Sequence, residues 1–358
     1  MRLTPIERAI GASLARDVAA PTGSIPLVRA GITVGAHTAR TLFERGVRAV
    51  WIHDELSAGI EPVELLPEPV RAEAAGRVEQ ALASANTALA AGRPVARAAL
   101  DELSSVVETL IRSIVATPDA ALALHDLAVA DAYTHRHSVN VCALGLLLGR
   151  TAYRRDGWTD FHRRRRFDGI DERLTKLGMG LLLHDIGKVV VPPEVLNKPG
   201  PLTDREWELM RTHPDVGVEL LRSETFGPLI RSVVRDHHER WDGSGYPRGL
   251  IGERITHFAR VAAVADVYDA VAADRPYKRA MPAHEAVRIV VDGSGTMFDS
   301  EVVEVFRRVV LPYPLGSEVE LDDGTVGVVC HVDPNRPHEP IVRFRRGGDV
   351  RERRVDLS

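Results

Sequence analysis

The fold of this chain is decided by residues 184–188, HDIGK, which follow the apolar run LLL at residues 181–183. The apolar run predicts the end of a buried helix, and the helix breaks at the glycine of the stretch. A charged aspartate at the end of an apolar helix costs several kcal/mol unless it is paired or bound to a metal. Asp185 can bridge two cations, and His184 can hold one of them. The stretch therefore predicts a metal site at the end of a buried helix.

Residues of the same ligand type recur on both sides of this stretch, namely His137, His213, His237, His238 and Asp266. Several of them lie in apolar, helix-like contexts, which predicts a helical bundle with inward-facing ligands from several helices. Imidazole and carboxylate ligands without thiolates suit iron, manganese or zinc at a hydrolytic site. A lone histidine in such a context is more often a hydrogen-bonded core residue, but the whole ordered array favours metal binding.

The sequence also resembles the HD-GYP proteins, a subgroup of the HD metal-dependent phosphohydrolases. The resemblance covers roughly residues 99–311 and includes the naming triplet Gly245-Tyr246-Pro247 within residues 237–247, HHERWDGSGYP. Also typical of the family are KPG at 198–200, DVYDA at 266–270 and RPYK at 275–278. The resemblance implies hydrolysis of cyclic di-GMP, a bacterial second messenger, at a centre of two or three metals.

Carried over to this sequence, the resemblance implies two sets of metal ligands that share one carboxylate. One metal is held by His137, His184, Asp185 and Asp266, and the second by Asp185, His213, His237 and His238. Whether both members of the adjacent histidine pair ligate at once stays open, because neighbouring helical residues point about 100° apart. Both reach one metal only at a helix end or kink, and the glycines at 243 and 245 favour such an end.

Some family members bind a third metal through a glutamate one turn before the first histidine. Tyr133 stands at that position and cannot serve as a carboxylate. We therefore expect two divalent ions. Iron or manganese fits the ligand types, which do not choose between the two metals.

Two cations about 3.5–4 Å apart can share a water, lower its pKa towards neutrality and clamp the phosphoryl oxygens during in-line attack. The expected nucleophile is a metal-activated hydroxide. Lys188 is expected to neutralise a phosphate oxygen, although it could also be a lysine on a surface loop. The resemblance assigns Arg275 and Lys278 to the dinucleotide, where local cations matter because the formal net charge is −4. Arg275 could instead be a structural partner of Asp269 or Asp274.

The loop at residues 242–247 has three interpretations. Its glycines permit positive φ and close approach of the backbone, while Tyr246 offers a stacking face. The loop could cover the pocket, with Tyr246 as a substrate contact, or form a docking surface for signalling proteins, as proposed for the family. The structural alternative is a rigid turn that packs on the bundle.

Four segments are predicted along the chain. Residues 1–66 combine short β-branched runs with a helix-like stretch, which predicts a small α+β domain. Residues 67–98 are predicted as a helical linker, 99–311 as the HD-type helical bundle, and 312–358 as a small β module with a hairpin signal. The fold class is therefore mainly α. Sensing, oligomerisation as a homodimer and a structural role are all open for the N-terminal domain.

Composition narrows the cellular context. The N-terminus shows no signal peptide, and no apolar run approaches the ~20 residues needed to span a bilayer. The two cysteines, Cys142 and Cys330, suit a reducing compartment without structural disulfides. The four arginines at 163–166 could bind nucleic acid, but their acidic neighbours favour a solvated loop. We expect a cytoplasmic bacterial protein with neither nucleic-acid nor membrane partners.

These patterns predict a cyclic di-GMP phosphodiesterase that yields pGpG, with a further step to GMP left open, and with Asp185 and Lys188 as catalytic residues. One alternative keeps the metal chemistry and changes the substrate to another cyclic dinucleotide or a nucleotide. The other is a catalytically silent module that passes a signal through the Gly245-Tyr246-Pro247 loop. The intact ligand set argues against this last interpretation.

Overall fold

The chain, seen in a computed structural model, is built mainly from α-helices. The structure describes residues 1–18, 26–62, 65–92, 97–116, 133–160, 162–222, 226–272 and 281–357. The helices within these ranges are α1 (Ala36–Glu44), α2 (Glu68–Ala90), α3 (Arg97–Ala116), α4 (Tyr133–Asp156), α5 (Ile170–Leu183), α6 (Pro193–Leu196), α7 (Asp204–Met210), α8 (His213–Leu220), α9 (Pro228–Asp236), α10 (His257–Ala272), α11 (Ala283–Asp292) and α12 (Ser300–Val309). The predicted fold class, mainly α with two small sheet-containing modules, is confirmed.

Local sequence explains where two of these helices begin. The Thr203 side chain accepts the N–H of Glu206, and the Glu206 carboxylate accepts the N–H of Thr203. This reciprocal capping box satisfies two N–H groups that the start of α7 leaves without helical partners. Asp299 caps α12 by accepting the N–H of Glu301. The two caps therefore fix the residues at which α7 and α12 begin.

Glycines let α5 pack unusually close to its neighbours. A Cβ added at Gly145 on α4 would lie 2.5 Å from a methyl carbon of Leu181, and one at Gly149 would lie 2.6 Å from Leu177. On the other side of α5, a Cβ at Gly180 would lie 2.8 Å from Val233 on α9. Helices that approach this closely bring the residues at their ends together. The end of α5 therefore meets both α4 and α9.

The N-terminal part of the chain forms a separate small core. Strands β1 (Arg2–Pro5), β2 (Ser13–Leu14) and β3 (Ala49–His53) form an antiparallel sheet in the order β1-β3-β2. Buried residues of the sheet and of α1, such as Leu14, Leu42 and Ile52, pack together there. Further on, β4 (Trp158–Thr159) and β5 (Arg165–Arg166) make a short exposed hairpin. This hairpin carries the second half of the arginine run.

The C-terminal module is a four-stranded antiparallel sheet. Its strands are β6 (Glu318–Glu320), β7 (Val326–Asp333), β8 (Arg336–Arg346) and β9 (Asp349–Arg354), in sequence order. The module contacts the N-terminal sheet, because the N–H of Leu3 donates to Gly316 over 2.9 Å. Glu318 also accepts hydrogen bonds from Arg2 and Thr4. The N-terminal sheet and the C-terminal module are thus in direct contact.

The domain boundaries at residues 66, 98 and 311 stay predictions. Within the residues described, α2 contributes buried side chains such as Ala74, Val78 and Ala85 to the same core as α3, α4 and α5. None of the helices described has a stretch both long and apolar enough to cross a membrane. Cys142 and Cys330 are both free thiols.

Candidate metal centre

The histidine and aspartate of the opening stretch lie where α5 ends. His184 is the last residue with helical backbone angles, and Asp185 turns the chain into a short 3-10 helix (Ile186–Val190). A Cβ added at Gly187 would lie 1.9 Å from the carbonyl oxygen of His213. Only glycine therefore allows this segment to approach the start of α8. That approach brings the His213 imidazole to the Asp185 carboxylate.

Three imidazoles present the same nitrogen to the centre. The Nδ1 atom of His184 lies 2.7 Å from the carbonyl oxygen of Leu181, and that of His213 lies 2.7 Å from Met210. The Nδ1 atom of His237 lies 3.0 Å from the carbonyl oxygen of Val234. A carbonyl oxygen only accepts, so each Nδ1 carries the proton and donates it. Each Nε2 therefore points its lone pair inwards.

The inward-facing nitrogens surround Asp185 on two sides. Its Oδ2 atom lies 3.3 Å from Nε2 of His184 and 3.8 Å from Nε2 of His137. Its Oδ1 atom lies 3.5 Å from Nε2 of His213 and 3.8 Å from Nε2 of His237. One carboxylate oxygen thus faces each half of the centre, which is the layout that a bridging ligand needs.

Donor atoms lie within 4.8 Å of one another in two groups. The first group is His137, His184 and Asp266, and the second is Asp185, His213, His237 and His238. Helix α9 ends at Asp236 and His237 is the residue just after it, so the chain leaves the helix there and both adjacent histidines reach the second group. The structure therefore brings together all seven residues that the sequence named as metal ligands.

The unsatisfied donor atoms fit divalent cations. Nε2 of His184 and Oδ1 of Asp185 are buried and have no hydrogen-bond partner among the residues described. Nε2 of His213 lies 3.3 Å from Nε2 of His237, and both are lone pairs because each Nδ1 carries the proton. Two facing lone pairs repel unless a positive charge lies between them. A buried set of imidazoles and carboxylates of this kind suits metal ions.

Burial and neighbouring charges set the protonation of the centre. Burial lowers the pKa of His213 to about 4 and that of His238 to about 3, so both are neutral at pH 7. Burial by itself raises the pKa of the Asp185 carboxyl, but His184 and Lys188 outweigh it and hold that pKa well below its usual range. The anionic carboxylate and neutral imidazoles are the protonation states that bind metal.

Asp269 is a residue of the centre that the sequence analysis missed. Its Oδ2 atom lies 2.6 Å from Nδ1 of His137, while Nε2 of His137 lies 3.1 Å from Oδ1 of Asp266. Burial disfavours a charge on His137, but the hydrogen bonds to these two aspartates raise its pKa to about 9. The spacing of Asp266 and Asp269, three residues apart on α10, could have revealed that both lie on one helix face. The sequence analysis considered Asp269 only as a partner of Arg275.

Lys188 and Tyr246 lie beside the donor groups. Nζ of Lys188 is 2.6 Å from Oδ2 of Asp185, and its side chain is 24% exposed. The Tyr246 ring stacks on the His238 ring with 4.7 Å between their centres. The backbone N–H of Tyr246 donates to the carbonyl oxygen of His238. A Cβ at Gly245 would lie 2.3 Å from the backbone nitrogen of Arg240. The loop is therefore packed tightly against the second donor group.

Three residues of the sequence analysis cannot be placed in this centre. Arg275 and Lys278, the two predicted substrate contacts, lie outside the residues described. The side chain of Tyr133 also lies outside them, although its backbone begins α4. Their roles stay predictions.

Comparisons with known proteins agree with this geometry. A model of the HD domain matches residues 165–302. A cyclic di-GMP phosphodiesterase of Pseudomonas aeruginosa is 42% identical over 227 residues, which are 63% of this chain and 51% of that protein. One of Thermotoga maritima is 39% identical over 182 residues, 50% of this chain and 45% of that protein. A 3′3′-cGAMP-specific phosphodiesterase of Vibrio cholerae is 38% identical over 125 residues, 34% of this chain and 24% of that protein. The chain thus spans at most about half the length of these relatives.

Proposed function

Since the chain carries an HD domain of the HD-GYP type, we propose that it is a cyclic di-GMP phosphodiesterase whose product is pGpG. The observation that carries this proposal is the pair of buried donor groups on the two sides of the Asp185 carboxylate. A site built in this way would bind two cations and a phosphodiester, because both the lone pairs and the phosphate oxygens need positive charge.

The proposed ligand sets divide the seven residues between two cations that share Asp185. His137, His184 and Asp266 would hold one ion, and His213, His237 and His238 the other. We propose iron or manganese. Bound there, the ions would act as Lewis acids on the phosphate and lower the pKa of a coordinated water. The carbonyl oxygens that fix the imidazole tautomers would keep the ligands oriented before any ion arrives.

Lys188 is proposed as the residue of this chain that neutralises a phosphate oxygen. Its ammonium lies 2.6 Å from Asp185 and keeps access to solvent, so it can contact both the metal ligands and a substrate. The formal net charge of the chain is −4, and a dianionic substrate therefore depends on local cations. Arg275 and Lys278 are proposed to supply two more at the dinucleotide.

Another cyclic dinucleotide is the second candidate substrate. The similarity to a 3′3′-cGAMP-specific phosphodiesterase favours testing it, because the metal chemistry is the same for any such phosphodiester. Further hydrolysis of pGpG to GMP is tested by the same product analysis. A silent signalling module would not need seven donor residues, six of them buried, held in two groups, so we favour either enzyme activity over it.

The packing of Tyr246 on His238 favours a structural role of the loop at residues 242–247 over that of a cover. Tyr246 would then hold the His238 ring in its ligating orientation. Docking of a signalling protein on this loop, assembly of a homodimer and a cytoplasmic location are further proposals. Pull-down and size-exclusion experiments with the full chain would test the first two.

The decisive experiment is anaerobic purification, metal analysis and chromatography of the products from cyclic di-GMP with iron or manganese. We expect about two metals per chain and formation of pGpG or GMP, with both lost in Asp185→Ala. Asp215→Ala is the matched control, because Asp215 is exposed on α8 and belongs to neither donor group. Two metals without hydrolysis would point to another substrate. Absence of both metal and turnover would favour the silent module.

A further inference from the structure

A cavity of about 590 Å³ opens next to the second donor group. His238 and Tyr246 line it together with Asp204, Trp207 and Glu208 of α7 and with Arg211, the residue after α7. Trp207 and Glu208 are adjacent, and Arg211 follows them by four and three positions, so all three lie on one side of the helical turn. A substrate whose phosphate lies at His238 would extend along this cavity towards α7.

Stacked side chains connect the metal centre to α7. The Tyr246 ring stacks on the His238 ring with 28° between their planes, and the guanidinium carbon of Arg211 lies 5.0 Å from the centre of the Tyr246 ring. Trp207 lies one turn before Arg211 and is 47% exposed. Most large indole side chains are more fully covered than this. The exposed ring is therefore available to stack on a flat ligand in the cavity.

Glu208 differs from Trp207 because it brings a carboxylate to the cavity instead of an aromatic ring. Glu208 is exposed. Its carboxylate has no ion pair and no side-chain hydrogen bond in the part of the chain that the structure describes, whereas Glu206 on the same helix is bound by Lys198 and Thr203. An unpaired carboxylate in a cavity that receives phosphate repels the phosphate. It is compatible with a ligand only where the ligand presents hydrogen-bond donors.

Guanine presents such donors. Its N1–H and N2–H groups point in one direction along one edge, and a carboxylate can accept both at once. Adenine has an acceptor at N1 and cannot form this pair. An indole stacks on either base, because every base has a π face.

We propose that Trp207 and Glu208 form a guanine-binding subsite of the candidate active site, in which Trp207 stacks on the base and Glu208 accepts from its N1–H and N2–H groups. The subsite rests on the proposed function, because it assumes that a guanine nucleotide has its phosphate at the metal centre. It makes Glu208 the residue that distinguishes guanine from adenine.

Equilibrium binding of GMP and AMP to the metal-loaded protein tests the subsite without any turnover. Trp207→Ala should weaken both nucleotides roughly tenfold or more, because stacking does not depend on the base. Glu208→Gln should weaken GMP by about tenfold and leave AMP unchanged. Trp207→Phe should retain most of the affinity. Arg205→Ala, which removes an exposed side chain of the same helix, is the control.

Kinetics separate the subsite from the proposed function. With cyclic di-GMP, Trp207→Ala and Glu208→Gln should raise KM and leave kcat nearly unchanged. Hydrolysis of bis(p-nitrophenyl) phosphate, which has no purine, should be the same in all variants. GMP binding that is equal in wild type, Trp207→Ala and Glu208→Gln overturns the subsite, even if cyclic di-GMP is hydrolysed. GMP binding that depends on both residues, without hydrolysis of cyclic di-GMP, supports the subsite and refutes the proposed function.

Discussion

Replacing Asp269 with asparagine should weaken metal binding without removing any ligand. Asp269 is buried, and its Oδ2 atom lies 2.6 Å from Nδ1 of His137. The carboxylate fixes the orientation of the ring and makes its Nε2 atom a stronger electron donor. Asparagine keeps the shape and an acceptor oxygen but removes the negative charge. The change therefore tests the charge and leaves the packing largely intact.

The expected magnitude follows from the role of such carboxylate partners. Their loss typically costs about 10–100-fold in metal affinity, which is about 1.4–2.8 kcal/mol. The effect should also appear in the pH dependence. Hydrogen bonds to Asp266 and Asp269 raise the pKa of His137 to about 9 against the effect of burial, so loss of one carboxylate lowers this pKa and weakens the competition between proton and metal. The predicted loss of affinity therefore refers to the pH range in which the affinity of each protein no longer changes with pH.

Competition with a chromophoric chelator measures the affinity of wild type and variant for manganese. Activity of Asp269→Asn should be low at limiting metal and should recover in excess metal, because all seven ligands remain. Asp299→Asn is the matched control, since Asp299 is also buried but pairs with Arg260. Equal manganese affinity in wild type and Asp269→Asn would refute the role of Asp269. Weak binding that excess metal does not rescue would indicate misfolding instead, and thermal unfolding would check that.

Lys188→Met should lower kcat roughly a hundredfold with metal content unchanged, because it removes the cation beside Asp185. Steady-state kinetics together with metal analysis check this. Unchanged activity would exclude Lys188 as the residue that neutralises a phosphate oxygen. Gly187→Ala should lower the free energy of unfolding by about 3 kcal/mol, because the added Cβ would meet backbone atoms of α8. Gly35→Ala, where the space is open, is the control in thermal unfolding. His137 has its pKa raised to about 9, so it is protonated below that pH and must lose its proton to bind metal. Manganese affinity should therefore rise about tenfold per pH unit between pH 7 and 9 and then level off, and an affinity independent of pH would contradict this.

The amino-acid sequence predicts the residue types of the centre and the end of the helix that carries them. The apolar run before His184 is a local signal, because it marks a buried helix within a few residues of the ligands. The sequence also predicts that the glycine at 187 breaks this helix, but α5 already ends at Leu183, and the glycine lies in the 3-10 helix, where a Cβ would meet His213 of α8. The GYP triplet and the histidine pair show the resemblance to the HD-GYP proteins by pattern alone. These features can be predicted because the residues that define them are close together in the sequence.

Other features depend on contacts between segments far apart in the chain. Asp269 meets His137 across 132 positions, and no local pattern of His137 indicates which carboxylate it will contact. The sequence left open whether both His237 and His238 face one centre, and the end of α9 at Asp236 decides that they do. Likewise, neither segment alone predicts the hydrogen bonds that Arg2 and Thr4 donate to Glu318.

One physical reason explains which features the sequence determines and which features need the tertiary structure. Helix caps and the apolar pattern of a helix involve residues only three or four positions apart, so the sequence by itself determined them. The facing lone pairs of His213 and His237, the position of Asp185 between the two donor groups and the cavity that α7 shares with Tyr246 arise when whole helices pack against one another. Packing depends on the shapes of many side chains at once, and only the tertiary structure decided which polar groups are left facing each other.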